Sequence, residues 1–112
     1  MSSPRLNRNL VLEEAVRAPD GAGGYALVWT ALGSLWAEVV AGSGRERAGE
    51  LVTLALVPYR ITVRAAPPGA AQRPRPEQRF RDGERVFRIL AVAEKDTGGH
   101  YLTCFAHEEV VA

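Results

Sequence analysis

Apolar and polar side chains alternate at a period of two through most of this chain, and this alternation limits its fold more than any other feature. The stretch YRITVR at residues 59–64 places tyrosine, isoleucine and valine on one face and arginines and a threonine on the other. Such a pattern is typical of a strand with one buried face. No long segment keeps the 3.6-residue period of a helix. The sequence therefore predicts an all-β fold, a small antiparallel β-barrel or sandwich of about six strands.

Turn-forming residues separate the predicted strands. The segment PDGAGG at residues 19–24, the dipeptide Asp82-Gly83 and the segment TGG at residues 97–99 are rich in glycine and its usual turn partners. Residues 25–40 are long for one strand, so we expect a bulge or bend at Gly33-Ser34. A strand pattern follows the first of these turns, which disfavours a phosphate-binding loop there. Residues 78–81 lead into the hairpin signal Asp82-Gly83, and the other predicted strands cover residues 9–16, 25–40, 59–64, 84–93 and 100–107.

Large apolar residues at alternating positions predict the core. Within residues 35–39 the alternation sets Leu35 opposite to Trp36 and Glu38, and Cys104 alternates with apolar neighbours on the last strand. A lone cysteine cannot form an internal disulfide, so we expect a reducing compartment and a buried, unreactive thiol. The residues expected to be largely buried are Trp36, Ile61, Val63, Phe87 and Ile89.

The length of 112 residues suits one domain, residues 1–112, with a loose N-terminal arm over residues 1–8 and a short C-terminal tail over residues 108–112. Its formal net charge is +1, which does not indicate a nucleic-acid or membrane binder. No apolar run has the length of a signal peptide or a membrane span. We therefore expect a soluble, intracellular protein.

The charges are distributed unevenly along the chain. Residues 60–88 hold eight arginines and three acidic residues, a net charge of +5, which leaves the remainder of the chain at −4. This asymmetry favours head-to-tail contact with copies of the same chain, or contact with a ring formed by another protein. A surface whose charges are solvated and partly paired with one another accounts for the same composition. The candidate contacts to neighbouring subunits are Arg73, Arg75, Arg79 and Arg81.

The segment GSGRERAGE at residues 42–50 interrupts the strand pattern. Three of its nine residues are glycine, and it is longer than a connection between two strands needs to be. It has room for one helical turn, which Gly49 weakens. An ordinary mobile surface loop is the alternative to a working segment. The candidate working residues of this segment are Gly42, Ser43, Gly44, Arg45, Glu46 and Arg47.

Groups that could carry catalysis or bind a metal are sparse. The only two histidines, His100 and His107, are seven residues apart and fall on opposite faces of an ideal strand. The acidic pairs Glu13-Glu14 and Glu108-Glu109 are adjacent, so each pair also points to opposite faces. No nucleophile or nucleotide-binding motif is present. We expect no enzyme, no metal and no cofactor.

The order of these features resembles a known family. Trp36-Ala37-Glu38-Val39 ends an aromatic strand, and a charged Gly/Ser loop follows it. Ile61-Thr62-Val63-Arg64 ends the next strand, and a Pro/Gly loop leads to an isolated Arg79. The segment DGERVFRILAV at residues 82–92 completes the series. Over about residues 8 to 107 the chain resembles the head-tail joining proteins of tailed bacteriophages, also called head closure or stopper proteins, which have relatives in gene transfer agents.

The resemblance implies a small barrel that assembles as a ring, usually of twelve subunits, in the virion. The ring lies between the portal and its adaptor on one side and tail terminator or tail tube proteins on the other. It closes the DNA exit channel after packaging and provides the docking surface for the tail, and the loop at residues 42–47 reaches into the channel or a neighbour. Double-stranded DNA in the channel is a further, non-specific contact. Such a protein is made in the bacterial cytoplasm.

Two alternatives remain open at this point. Another virion connector with a similar small barrel, such as an adaptor or a tail-completion protein, fits the same pattern. A single-stranded nucleic-acid-binding barrel needs exposed aromatic residues interleaved with basic ones. Here Trp29 and Trp36 lie in the least charged part of the sequence.

Overall fold

Six antiparallel strands form a closed barrel in the computed structural model, which describes residues 3–42 and 57–109. The strand order around the barrel is β1-β2-β3-β6-β5-β4, and β4 pairs with β1 to close it. No helix occurs in the described residues. The predicted all-β antiparallel fold is confirmed, and of the two predicted forms the barrel is the one adopted. The strands are β1 (Arg8–Pro19), β2 (Tyr25–Ala41), β3 (Pro58–Arg64), β4 (Arg79–Asp82), β5 (Arg85–Glu94) and β6 (Tyr101–Glu109).

The barrel interior is filled by the inward-facing residues of all six strands. Leu12 of β1 lies opposite Phe80 of β4, and both are fully buried. Phe87 meets the ring of Tyr59 edge-on, with the centroids 5.0 Å apart. These large side chains fill the space that inward-facing residues of a small barrel must fill. The main core cluster consists of Leu10, Leu12, Ala37, Ile61, Val63, Phe80, Phe87, Ile89, Leu102, Cys104 and Ala106.

Four of the five predicted core residues are fully buried, namely Ile61, Val63, Phe87 and Ile89. The prediction for Trp36 is wrong, because 57% of this residue is exposed. The alternation along β2 explains the error. Its inward phase places Ala37 in the core and turns Trp36 to the outer wall, so a large apolar residue in the wrong phase stays outside.

A bulge lies in β2 near the predicted position. Leu12 pairs with Gly33, whereas Glu13 pairs with Ala31, so that Leu32 has no direct partner on β1. Gly33 has a φ of +140°, which favours glycine, and an extra residue of this kind increases strand twist and bending. The bend permits β2 to take part in the barrel along one half and to leave it along the other.

The hairpin formed by β1 and β2 extends well beyond the barrel. β3 pairs with β2 only at residues 37–41, and β4 pairs with β1 only at residues 11–13. Residues 14–19 and 25–30 pair with each other and form a two-stranded projection, which we call the arm. At its tip, Asp20 Oδ1 accepts hydrogen bonds from the N–H groups of Ala22 (2.8 Å) and Gly24 (3.0 Å), which lower the pKa of Asp20.

The two ends of the barrel carry different connections. The arm end, from which the arm projects, also carries the Pro-rich loop at residues 65–78 and the turn at residues 95–100. The opposite end, which we call the loop end, carries the two-residue turn between β4 and β5, with a φ of +63° at Gly83. It also carries the points where the chain leaves at Gly42 and returns at Val57.

Both predicted terminal boundaries need correction. Glu108 and Glu109 were expected in a tail but belong to β6, where Glu108 lies opposite Phe87. Arg8 was expected in the loose N-terminal segment, residues 1–8, but it begins β1 and forms an ion pair with Asp82. Each of these charged residues has a partner on an adjacent strand, which a boundary drawn from hydrophobicity alone does not detect.

Truncation of a core ring tests this packing. We expect Phe87→Ala to lower the free energy of unfolding by about 3–5 kcal/mol, because it removes a fully buried ring and leaves a cavity. The matched control is Trp36→Ala on the outer wall, for which we expect a loss under about 1 kcal/mol. Urea denaturation followed by circular dichroism measures both. Equal losses in the two variants would contradict the assigned phase of β2.

Candidate interaction surfaces

A buried carboxylate lies at the seam where the barrel closes. Glu13 lies opposite Arg79 on the outer wall and is only 5% exposed. Arg79 Nε donates to Glu13 Oε1 at 2.7 Å, and Arg81 Nε donates to Oε2 at 2.8 Å. Burial raises the pKa of Glu13, but the hydrogen bonds and charges of the two arginines outweigh it and hold this pKa below its ordinary value. Both carboxylate oxygens are therefore satisfied.

Trp29 connects the arm to the same seam. The guanidinium carbon of Arg79 lies 4.1 Å from the centre of the Trp29 ring, and that of Arg88 lies 5.4 Å from it. Arg88 is opposite Arg79 in the sheet and forms ion pairs with Glu77 (2.9 Å) and Glu109 (3.6 Å). Cations over an indole ring stabilise this arrangement. The base of the arm is thus held against the barrel wall.

The sequence did not single out Glu13 or Trp29 as partners of these arginines. Glu13 was expected only to point away from Glu14, and the structure agrees with that expectation. The available signal was the position of Glu13, which follows an apolar stretch and lies on the outward-facing side of a predicted strand. A buried carboxylate needs basic partners, and β4 offers two of them at alternate positions.

The four arginines predicted to contact neighbouring subunits all have partners within the chain. Arg79 and Arg81 share Glu13, as described above. Arg75 forms an ion pair with Glu14 at 2.6 Å, and Arg73 donates to the carbonyl oxygen of Ala66 at 2.8 Å. The side chain of Arg75 remains 66% exposed. Contact with another subunit remains a prediction for all four.

A second ionic group joins strands at the loop end. Arg85 Nε donates to Glu108 Oε2 at 2.8 Å, and Tyr59 lies beside both side chains. Arg85 lowers the pKa of Glu108 through its hydrogen bonds and charge, although burial opposes this effect. The pair connects β5 to β6 close to Val57, whose carbonyl oxygen accepts a hydrogen bond from the Glu108 N–H.

Only one of the six candidate channel residues lies in the described part of the chain. Gly42 follows β2, and its N–H donates to the carbonyl oxygen of Pro58 at 2.6 Å. Residues 43–47 lie outside the described residues. The described chain stops at Gly42 and resumes at Val57, and both residues lie at the loop end, opposite to the arm.

Several large apolar side chains are exposed. The arm presents Tyr25 (64% exposed), Leu27 (65% exposed) and Val28 (47% exposed). The barrel wall adds Trp36, Val40, Leu90 and Phe105. Exposed apolar residues grouped on a projecting element mark an interaction site more clearly than residues scattered over a wall.

The remaining reactive groups have structural surroundings. Cys104 is fully buried, and burial raises the pKa of its thiol to about 12. His100 Nδ1 lies 2.8 Å from Asp96 Oδ2 at the arm end, whereas His107 lies on β6 near the loop end. The described residues contain no group of three or more metal-binding side chains. They also contain no helix long and apolar enough to cross a membrane.

This chain belongs to the phage head completion protein family, whose model matches residues 1–109. It is similar to a chain in the virion of a native gene transfer agent particle, with 74% identity and a TM-score of 0.80. That match covers 98% of this chain and 100% of the other. No curated protein matches this chain.

A more distant structure shares the fold. Protein SF1141 from Shigella flexneri 2a, determined in solution, is 20% identical to this chain, with a TM-score of 0.73 and full coverage of both chains. At this level of identity the likeness shows only that the two chains share a fold.

The two acidic neighbours Glu13 and Glu14 provide a test of the closing seam. We expect Glu13→Gln to destabilise the protein by about 1.5–3 kcal/mol at pH 7, because two partly buried guanidinium groups lose their charged acceptor. The control Glu14→Gln removes a solvent-exposed pair and should cost less than about 1 kcal/mol. Urea denaturation of both variants measures the difference.

The effect of Glu13 should also depend on pH. Because its pKa is depressed in the folded state, its contribution is fully present above the unfolded pKa, near 4.5, and is lost as the pH falls through the lower folded pKa. The stability difference between the wild type and Glu13→Gln should therefore shrink in acid. A difference that stays constant from pH 7 to pH 3 would contradict an ionised Glu13 in the folded protein.

Proposed function

We propose that this chain is a structural subunit of the head-tail connector of a phage-like particle. It forms a ring between the portal and adaptor on one side and the tail on the other. The ring closes the DNA exit channel after packaging and gives the tail a surface on which to dock. The observation that carries this proposal is the 74% identity, over nearly the whole chain, to a chain of a gene transfer agent virion. Rings of twelve are usual for the stopper proteins that the sequence resembles.

The arrangement of the barrel supports a role between two partners. The segment beginning at Gly42 emerges at the loop end, and the arm and the Pro-rich loop project from the arm end. A subunit that contacts one ring above and another below needs separate surfaces at its two ends. In this proposal residues 42–47 work in the channel, and the arm end faces neighbouring subunits or the tail.

The main alternative is a different connector position, as an adaptor or a tail-completion protein. These roles differ in what is lost when the subunit is absent. Heads that lack a stopper lose their DNA after packaging. Heads that lack a tail-completion protein keep their DNA. Measurement of nuclease-protected DNA in heads that lack this chain separates the two.

The channel segment can be tested by replacing residues 42–49 with Asn-Gly, which shortens the connection between β2 and β3 by six residues. We expect the variant to fold and to enter particles, while the filled heads leak DNA or fail to attach tails. The matched control replaces Gly83-Glu84, at the same end of the barrel, with Asn-Gly. Particles carrying the first variant that retain DNA and remain transfer-competent would show that the segment is only a connector. The Pro-rich loop would then be the better candidate for the plug.

The arginines of the arm end need a different choice of variants. Reversing Arg79 or Arg81 would put a second carboxylate beside that of Glu13 and unfold the seam, so it cannot report on a neighbour. Arg73 and Arg75 can be reversed without leaving a buried carboxylate unpaired.

We expect Arg73→Glu with Arg75→Glu to leave the melting temperature nearly unchanged and to reduce incorporation into particles, because acidic groups of an adjacent subunit would then be repelled. Lys95→Glu at the same end is the control for charge reversal alone. Quantitative mass spectrometry of purified particles gives the copy number. Normal incorporation of the double variant would remove these two arginines from the interface.

A further inference from the structure

The arm leaves a long edge of β2 without a strand partner in the described part of the chain. β3 joins β2 only from Ala37 onward, so residues 25–36 pair with β1 on one side and with no described strand on the other. An edge of this kind presents a row of backbone N–H and C=O groups that can pair with another chain.

This edge lacks most of the features that protect exposed strands. Residues 25–37, YALVWTALGSLWA, contain no charged residue and no proline, and a single bulge at Leu32 interrupts them. Native proteins usually block such edges with lysine, proline or bulges. The other edge of the arm, in β1, does carry Glu14, Arg17 and Pro19. The β2 edge is therefore the less protected of the two.

The arm is held in place although it buries little surface. Its base is fixed by Arg79 and Arg88 over Trp29, and near its tip the guanidinium of Arg17 lies 4.7 Å from the centre of the Tyr25 ring. The turn is closed by Asp20. A projecting element that is ordered before it meets a partner loses less conformational entropy on binding.

We propose that the β2 edge of each arm pairs with the β1 edge, residues 14–18, of the arm of the next copy of this chain. β4 covers β1 only as far as Glu13, so the β1 edge beyond it also lacks a described strand partner, and its one described ion pair joins the Glu14 side chain to Arg75. The two strands of an arm run in opposite directions, so side-by-side arms present β1 to β2 in antiparallel orientation. The arms of a ring then form one continuous sheet. This inference rests on the proposed ring.

Charge and symmetry favour this partner over a two-fold pairing of identical edges. The β2 edge is uncharged, so Glu14 and Arg17 of the next copy meet no like charge in any register. A contact between two different edges is heterologous, and heterologous contacts form rings where the rotation closes, whereas a two-fold contact ends at a dimer.

The small area of this contact means that it forms only in the assembled connector. An edge about 20 Å long and about 10 Å thick buries a few hundred Å² on each partner, which is less than the roughly 800 Å² per partner of a typical stable complex. The arms alone therefore do not hold two copies together in dilute solution. They pair where the remainder of the connector brings copies side by side.

Site-specific photo-crosslinking in assembled particles tests the pairing. A benzoylphenylalanine replaces Leu27 in tagged chains that are mixed with untagged, isotope-labelled chains, so that adducts between copies are distinguished from adducts within one. We expect an adduct from position 27 of one copy to residues 14–18 of another. An adduct to position 27 of a second copy, to another part of this chain or to a different polypeptide would overturn the proposal, as would the lack of an inter-chain adduct.

A pair of charge variants gives an independent measurement. Leu27→Lys with Val28→Lys places protective charges on the edge, and Leu90→Lys places one on an exposed leucine of the barrel wall. We expect both proteins to fold and the edge variant alone to be incorporated several-fold less. Equal incorporation of the two would overturn the proposal.

If the wild-type chain is absent from purified connectors, the proposed function itself fails. If it is present without the inter-arm adduct, only the arm pairing fails.

Discussion

The carboxylate of Glu13, held between Arg79 and Arg81, is the interaction on which the remainder of the structure depends. The barrel closes through β4, a strand of four residues that makes only three residue pairs with β1. Such a short ladder provides few backbone hydrogen bonds, so side chains on both sides of the sheet must hold it. Leu12 and Phe80 do so inside the barrel, and the Glu13 ion pairs do so outside.

The same seam determines the direction of the arm. Arg79 hydrogen-bonds to Glu13 and also lies over Trp29, so that the barrel closure and the base of the arm share one guanidinium group. The bulge at Leu32 and Gly33 releases β2 from the barrel at this point. As a result, one continuous strand serves as barrel wall over one half and as a projecting element over the other.

The charge asymmetry along the sequence is largely cancelled in space. Arginines of the basic stretch meet acidic residues that come from β1, β6 and the Pro-rich loop: Arg75 with Glu14, Arg85 with Glu108, and Arg88 with Glu77 and Glu109. These ion pairs support the interpretation of a surface whose charges are partly paired with one another. For contacts between subunits, the β2 edge of the arm is a stronger candidate than the arginines, because residues 25–36 carry no charge and have no described strand on that side.

The sequence by itself determined the strands, the turns and most of the core, because alternation and turn chemistry are local properties that neighbouring residues decide. It could not determine that Trp36 faces outward and Trp29 lies against two arginines, since both depend on the phase and exit point of β2. It also could not pair Glu13 with Arg79 and Arg81, which are 66 and 68 residues away in the chain. Only closure of the barrel brings those side chains together, because a carboxylate loses its water there and must find its partners on whichever strand completes the ring.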